Sequence, residues 1–208
     1  MLDIILGIRM TKFIFDLDGT ITKEETLPLI AKAFNVESEI AQLTKKTING
    51  NVPFIESFIK RVFLLGKLPV TEVSSLLAGV SLYPKVVDFI NSHREDCIIA
   101  TGNLDCWVNK LASRIDCICY SSDAIVEDNK VQKISKILKK ESIVELYKNN
   151  GERVVFIGDG NNDVEAMRLS DVSIASGLTH EPVNSVLSVA NYLVFTEEAL
   201  CRQLNLLL

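Results

Sequence analysis

The chain has 208 residues, enough for one domain of ordinary size or a core with one modest insertion, so a second large domain is not expected. Hydrophobic residues make up 48% and charged residues 24%, a globular composition that excludes a disordered or membrane-embedded chain. A net charge of -5 without a basic stripe leaves no electrostatic footprint for nucleic acid, and no membrane partner is expected.

The first residues, MLDIILGIR, carry an acid at Asp3, lack a basic leader region and are too short for a signal core of about 7–15 residues; a cytoplasmic location is expected. Met10 offers an alternative start, and the role of residues 1–9 is left open. Residues 12–16 (Lys-Phe-Ile-Phe-Asp) form an apolar run ending in an acid, the pattern of a strand covered on both faces. From Thr20 to about Tyr83 the pattern is helical, and Phe54, Phe58, Arg61, Val62 and Leu65 share one face of a helix that stops at Gly66. Pro84 opens a further helix to about His93, with Val86, Val87 and Ile90 on its apolar side.

Three more apolar runs, Cys97–Ala100, Val154–Ile157 and Val172–Ala175, read as buried strands, and Glu127–Lys130 reads as a hairpin tip. The chain closes with a strand at Tyr192–Phe195 and a helix capped by Thr196-Glu197-Glu198. Five cysteines, Cys97, Cys106, Cys117, Cys119 and Cys201, include no CxxC pair and read as small buried hydrophobes in a reducing compartment rather than zinc ligands. His93 and His180 have no metal-ligand spacing and read as structural. The fold class is therefore α/β, a doubly wound, Rossmann-like parallel sheet with a small helical insertion after its first strand. In such sheets ligands bind beyond the carboxyl ends of the strands, so the turns DLDGT, TGNLD and GDGNND should meet in one crevice.

Asp16 and Asp18 end a buried strand, where unpaired carboxylates are costly; a divalent cation resolves the cost. Asp159 and Asp163, in a turn with Gly158 and Gly160, offer the carboxylate oxygens that Mg²⁺ takes.

FDLDGT (Phe15–Thr20), Thr101-Gly102 after an apolar strand, an upstream lysine, and GDGNND (Gly158–Asp163) together resemble the four motifs of the haloacid dehalogenase superfamily. The stretches Glu24–Ala31 and Ser57–Leu65 resemble the glutamate-led and arginine-bearing helices of the cap in its phosphoserine phosphatase group. The resemblance implies a catalytic core of residues 1–20 and 84–208 and a helical cap of residues 21–83. It implies a Mg²⁺-dependent phosphomonoester hydrolase in which Asp16 is the nucleophile and carries an aspartyl-phosphate, while Asp18 is the general acid and base. The metal would be held by Asp16, the Asp18 carbonyl and Asp159, supported by Asp163. Thr101, the Gly102 amide and a lysine would bind the phosphoryl group; Lys140 fits that lysine best, with Lys136 and Lys139 as competitors. Glu25 would face the amine and Arg61 the carboxylate of a small phosphorylated metabolite, an amino acid such as O-phosphoserine, and Asn162 would also touch it.

Two departures concern the leaving group. The second motif is Thr101-Gly102-Asn103 where that group has Ser-Gly-Gly, and position 19 is Gly where it often has Ser. Asn103 adds polar capacity near the crevice, which keeps open a sugar phosphate or a phosphorylated amino-alcohol. Transfer to an alcohol instead of water also stays open. Retention of all the motif acids argues against a non-catalytic phospho-ligand binder. The oligomeric state is not legible.

Overall fold

A computed structural model describes residues 9–48 and 53–208, so the opening stretch before Arg9 lies outside the described residues, as does the Phe54 side chain. Strand β1 (Thr11–Phe15) is followed by four helices, α1 (Thr26–Ala33), α2 (Glu37–Ile48), α3 (Phe54–Leu65) and α4 (Val70–Ala78). Then come α5 (Pro84–Ser92), β2 (Cys97–Leu104), α6 (Asp105–Ala112), and the hairpin of β3 (Ile118–Glu127) and β4 (Lys130–Lys136). The chain continues through α7 (Lys140–Asn149), β5 (Arg153–Gly158), a short turn of helix at Asn161–Asp163, α8 (Val164–Leu169) and β6 (Val172–Ser176). It finishes with α9 (Asn184–Leu187), β7 (Tyr192–Val194) and α10 (Glu197–Leu207).

Among the described residues the strands form one sheet in the order β4-β3-β2-β1-β5-β6-β7. Every pairing is parallel except β3 with β4, whose hairpin turns at Asp128 and Asn129 with φ of 48° and 61°, the left-handed pair a two-residue turn requires. The strand order reverses beside β1. The polar turns after β1 and β5 and the bulged end of β2, which runs on through Thr101–Leu104 where a turn was expected, consequently open on the switch-point crevice of this architecture.

Strand alternation divides the core. Phe13, Phe15, Cys97, Ile99, Val155 and Ile157 face one side, where α5, α6 and α10 pack; Ile14, Ile98, Ala100, Val154 and Phe156 face the other, against α7, α8 and α9. Trp107 of α6 is fully buried and Phe13 meets Phe89 edge-on at 5.5 Å. The sheet is thus sandwiched, and its apolar runs are continuous because both faces are covered. At the foot of β1, Lys12 donates to Asp96 at 2.9 Å and to the Glu95 carbonyl, a structural pair at the end remote from Asp16.

The segments that enter and leave the α1–α4 block meet in one antiparallel bridge, Thr22 to Leu82. The last strand ends at Val194, one residue earlier than the expected Tyr192–Phe195, and Phe195 is exposed. Thr196 caps α10 by accepting from the Ala199 amide at 3.2 Å. All five cysteines are free, Cys97 is buried, and burial raises the Cys106 and Cys117 thiols to about 12. No helix among the described residues is long and apolar enough to cross a membrane.

Candidate active site

The crevice is a cavity of about 380 Å³ at the carboxyl ends of β1, β2 and β5, and Asp16, Asp18, Gly102, Asp159 and Asn162 all line it. The turn after β1 depends on Gly19, which has φ of +72°; a Cβ there would also lie 2.9 Å from a Glu25 carboxylate oxygen. Thr22 Oγ1 accepts from the Gly19 amide at 3.1 Å and closes the loop.

At the floor, Asp16 is buried and its Oδ1 accepts from the Leu17 amide at 2.8 Å and from Lys140 Nζ at 2.5 Å. The same ammonium donates to Asp163 Oδ1 at 2.6 Å. Asp163 is fully buried, and its Oδ2 accepts from the Asp159 and Gly160 amides at 3.1 and 2.9 Å. Gly158 leaves the space for that carboxylate, since a Cβ there would sit 2.5 Å from Asp163 Oδ2. Thr20 donates to Asp159 Oδ1 at 3.2 Å. Asp16, Asp159 and Asp163 bring one carboxylate oxygen each within 4.8 Å of one another. One ammonium among three carboxylates leaves negative charge in excess, and the donors are hard oxygens, a set that fits Mg²⁺.

The electrostatics follow from burial. Asp16 is raised well above the carboxylate range, by burial first and then by Asp163, Asp159 and Asp18 against the pull of Lys140. Asp159 is raised to about 6, again mainly by burial. Burial opposes the charge on Lys140, but Asp16 and Asp163 outweigh it and hold the ammonium protonated beyond its usual range. The competitors Lys136 and Lys139 are exposed.

Asp18 stands at the wall. Its Oδ1 accepts from the Thr26 amide at 3.0 Å and its Oδ2 from Thr101 Oγ1 at 3.4 Å. Burial, then the nearby Glu25 charge, raises its pKa, which favours a carboxyl able to deliver a proton. Thr101 also accepts from the Asn103 amide at 3.1 Å. The Asn103 side chain is engaged within the protein: its amide donates to Thr26 Oγ1 at 2.6 Å and its oxygen accepts from the Leu104 amide at 2.8 Å. It ties the end of β2 to the start of α1, although the residue still borders the cavity.

Glu25 and Arg61 also line the cavity, with Leu27, Pro28 and Phe58 forming an apolar wall between the motif turns and the helices. Glu25 precedes α1 but its side chain makes no capping bond. Arg61 is buried, and desolvation lowers its pKa against the raising influence of Glu25 and Asp18.

His180 corrects the sequence expectation. The reading of it as merely structural fails, because it lines the cavity and its Nε2 lies 2.9 Å from Glu25 Oε1 and 3.1 Å from Asp159 Oδ2. Hydrogen bonds to Asp159 and Glu25 raise it to about 11. Glu181 and Val183 of the same loop line the cavity too. The usable signal was the loop's place: it follows β6, a parallel strand whose carboxyl end opens on the same side. His93, by contrast, ends α5, stacked on Phe89 with its ring bonded to the Phe89 carbonyl.

A family model for haloacid dehalogenase-like hydrolases matches residues 11–171. The chain belongs to that family. Within that family it is similar to phosphoserine phosphatases. The phosphoserine phosphatase of Methanocaldococcus jannaschii is 27% identical over 175 residues, covering 78% of this chain and 83% of that protein. The phosphoserine phosphatase of Saccharomyces cerevisiae is 26% identical over 180 residues, and this chain spans 58% of its length. A substrate-bound phosphoserine phosphatase structure superposes with a TM-score of 0.77 at 24% identity, covering 91% of this chain and 94% of that one, a likeness of fold.

Proposed function

We propose that the chain hydrolyses a small phosphomonoester with Mg²⁺, and that Asp16 is its nucleophile. The observation that carries the reading is the meeting of Asp16, Asp159, Asp163 and Lys140 at the floor of a cavity whose walls bear Asp18 and Arg61. Asp16 and Asp159, with the Asp18 carbonyl, would hold the ion, and Asp163 would support it. When bound, the ion offsets the repulsion between an anionic nucleophile and an anionic phosphate.

An Asp16 carboxylate oxygen attacks phosphorus in line, the bond from phosphorus to the leaving oxygen breaks, and Asp18 gives that oxygen its proton. Asp18 then takes a proton from water as the water oxygen attacks phosphorus and the bond to Asp16 breaks, releasing phosphate. Lys140 fixes the direction of Asp16 and, with Thr101 and the Gly102 amide, balances charge on the transferring group. Residues 21–83 would act as a cap over this centre, a reading supported by the Thr22–Leu82 bridge at its base. Free cysteines fit a cytoplasmic setting.

A phosphorylated amino acid such as O-phosphoserine is the first substrate to consider, because Glu25 and Arg61 supply one acceptor and one guanidinium fork to a cavity that Asn162 also lines. The relatives' names point the same way. A second reading, another small phosphorylated metabolite such as a sugar phosphate, is favoured by the hydrogen bond that Glu25 already accepts from His180.

The test is phosphate release with and without added Mg²⁺ across O-phosphoserine, a sugar phosphate and an aryl phosphate. Release should need the metal and vanish in Asp16→Asn. Turnover without metal, or undiminished in Asp16→Asn, overturns the mechanism; O-phosphoserine turned over no better than the aryl ester removes the serine assignment.

A further inference from the structure

Asn103 stands where the chain departs from the second motif it resembles, and it is buried together with Thr26 and Thr101. Its side-chain amide can sit only one way round. The Leu104 amide, 2.8 Å away, needs the oxygen, so the nitrogen is the atom that faces Thr26 Oγ1 at 2.6 Å. A hydroxyl has one hydrogen, and because its oxygen accepts from Asn103, Thr26 keeps that hydrogen for another acceptor. Thr26 acts on the Asp18 carboxyl through both its backbone amide, 3.0 Å from Oδ1, and this hydroxyl. On the other side Thr101 donates to Asp18 Oδ2 at 3.4 Å while its oxygen accepts from the Asn103 backbone amide.

We propose that Asn103 is a positioning residue: by turning the Thr26 hydroxyl toward Asp18 it fixes the direction in which that carboxyl faces the leaving oxygen. The inference rests on the proposed role of Asp18 as proton donor and adds the two residues that aim it. With a protein donor at each oxygen, the carboxyl cannot turn freely about its last bond, and it stays directed at the cavity it lines. Thr101 is also a phosphoryl ligand in the proposed mechanism, so Thr26 is the donor that remains on Asp18 once substrate is bound. Without the Asn103 side chain, Thr26 can turn its hydrogen elsewhere, and Oδ1 keeps the backbone donor alone. A carboxyl displaced by about 1 Å misses the leaving oxygen, an error that can cost about 10²-fold.

The experiment measures kcat/KM, with magnesium present, for phenyl phosphates carrying para-nitro, para-chloro, hydrogen or para-methyl. These esters share a shape and differ in how much the leaving oxygen needs a proton, and kcat/KM reports the step that bonds phosphorus to Asp16. For the native enzyme the values should depend weakly on the substituent. Asn103→Ala and Thr26→Val should each lower the methyl ester about fivefold to twentyfold more than the nitro ester. The double variant should show no further selective loss, because both residues act through one chain of hydrogen bonds. Thr26→Ser, which returns the hydroxyl, should return the weak dependence. A partly unfolded variant loses every ester alike, and this cancels in the comparison. Equal losses across the series in Asn103→Ala, or selective losses that multiply in the double variant, overturn the inference. Asp18→Asn separates the inference from the reading beneath it. A selective loss there with none in Asn103→Ala sinks the inference alone, whereas no selective loss in Asp18→Asn removes the proposed acid as well. Absence of turnover with every ester overturns both.

Discussion

Replacing Lys140 by Met keeps the length and apolar stem of the side chain and removes its ammonium. The side chain is 1% exposed, and its ammonium touches Asp16 at 2.5 Å and Asp163 at 2.6 Å. Breaking a buried pair from one side costs about 3–5 kcal/mol, because the partner carboxylates stay desolvated without their cation. In a chain of this size each kcal/mol moves Tm by about 2–4 °C, so the metal-free variant should melt roughly 6–20 °C below the parent near neutral pH. Two conditions should shrink the loss. Acidification protonates the crowded carboxylates, and Mg²⁺ returns positive charge to them. Urea unfolding at about pH 7.5 and about pH 5.5, each with and without Mg²⁺, measures all four combinations. Phosphate release should fall by about 10²–10³-fold even with the metal, since Asp16 loses its fixed donor. The exposed Lys139→Met serves as control and should stay within about 0.5 kcal/mol. A Lys140→Met protein as stable as its parent without metal, or one whose deficit ignores both pH and Mg²⁺, refutes the reasoning.

Two further outcomes follow from the same charges. Asp16, Asp18 and Asp159 all have raised folded-state pKa values, so the folded protein holds protons that the unfolded chain has lost. Their contribution to stability is complete below the ordinary carboxylate range and is lost as pH rises through the folded values, about 6 for Asp159. Thermal scans should therefore show Mg²⁺ raising Tm more at about pH 7.5 than at about pH 5, and the reverse order would contradict the assigned cluster. Arg61→Lys keeps the charge of a buried side chain but loses the planar fork. For a carboxylate-bearing ester it should raise KM by about tenfold with a smaller change in kcat, and an unchanged KM would remove Arg61 from substrate binding.

The parts of this site that could be read from the chain are those whose chemistry is local to a strand end. Asp16 and Asp18 follow Phe13–Phe15, buried on alternate faces, so the strand and the cost of its terminal carboxylates are written in the same few letters. Asp163 and Gly158 likewise lie within one turn, and the glycine's missing side chain is the space the carboxylate fills. Lys140 was only partly legible. Lys136, Lys139 and Lys140 look alike in sequence, and what separates them is that α7 begins at Lys140, on the first turn whose inner side faces Asp16. Asn103 reads as a substrate contact because a polar residue follows Thr101-Gly102; beside the bulge in the β2–β3 pairing between Ala100 and Leu104 its side-chain amide bonds Thr26, a contact no sequence pattern announces, while the residue still lines the cavity.

His180 was hidden for a deeper reason. Neither of its carboxylate partners belongs to its own loop: Glu25 precedes the first helix and Asp159 follows β5. A lone histidine carries no periodicity, and its partners become neighbours only when β6 is placed beside β5 and the loop after it is pinned to Thr22 and Tyr83. The motif residues proposed for the chemistry are therefore local and readable. His180 is held by tertiary contacts across the crevice, and only the folded chain shows that Glu25 arrives there already hydrogen-bonded.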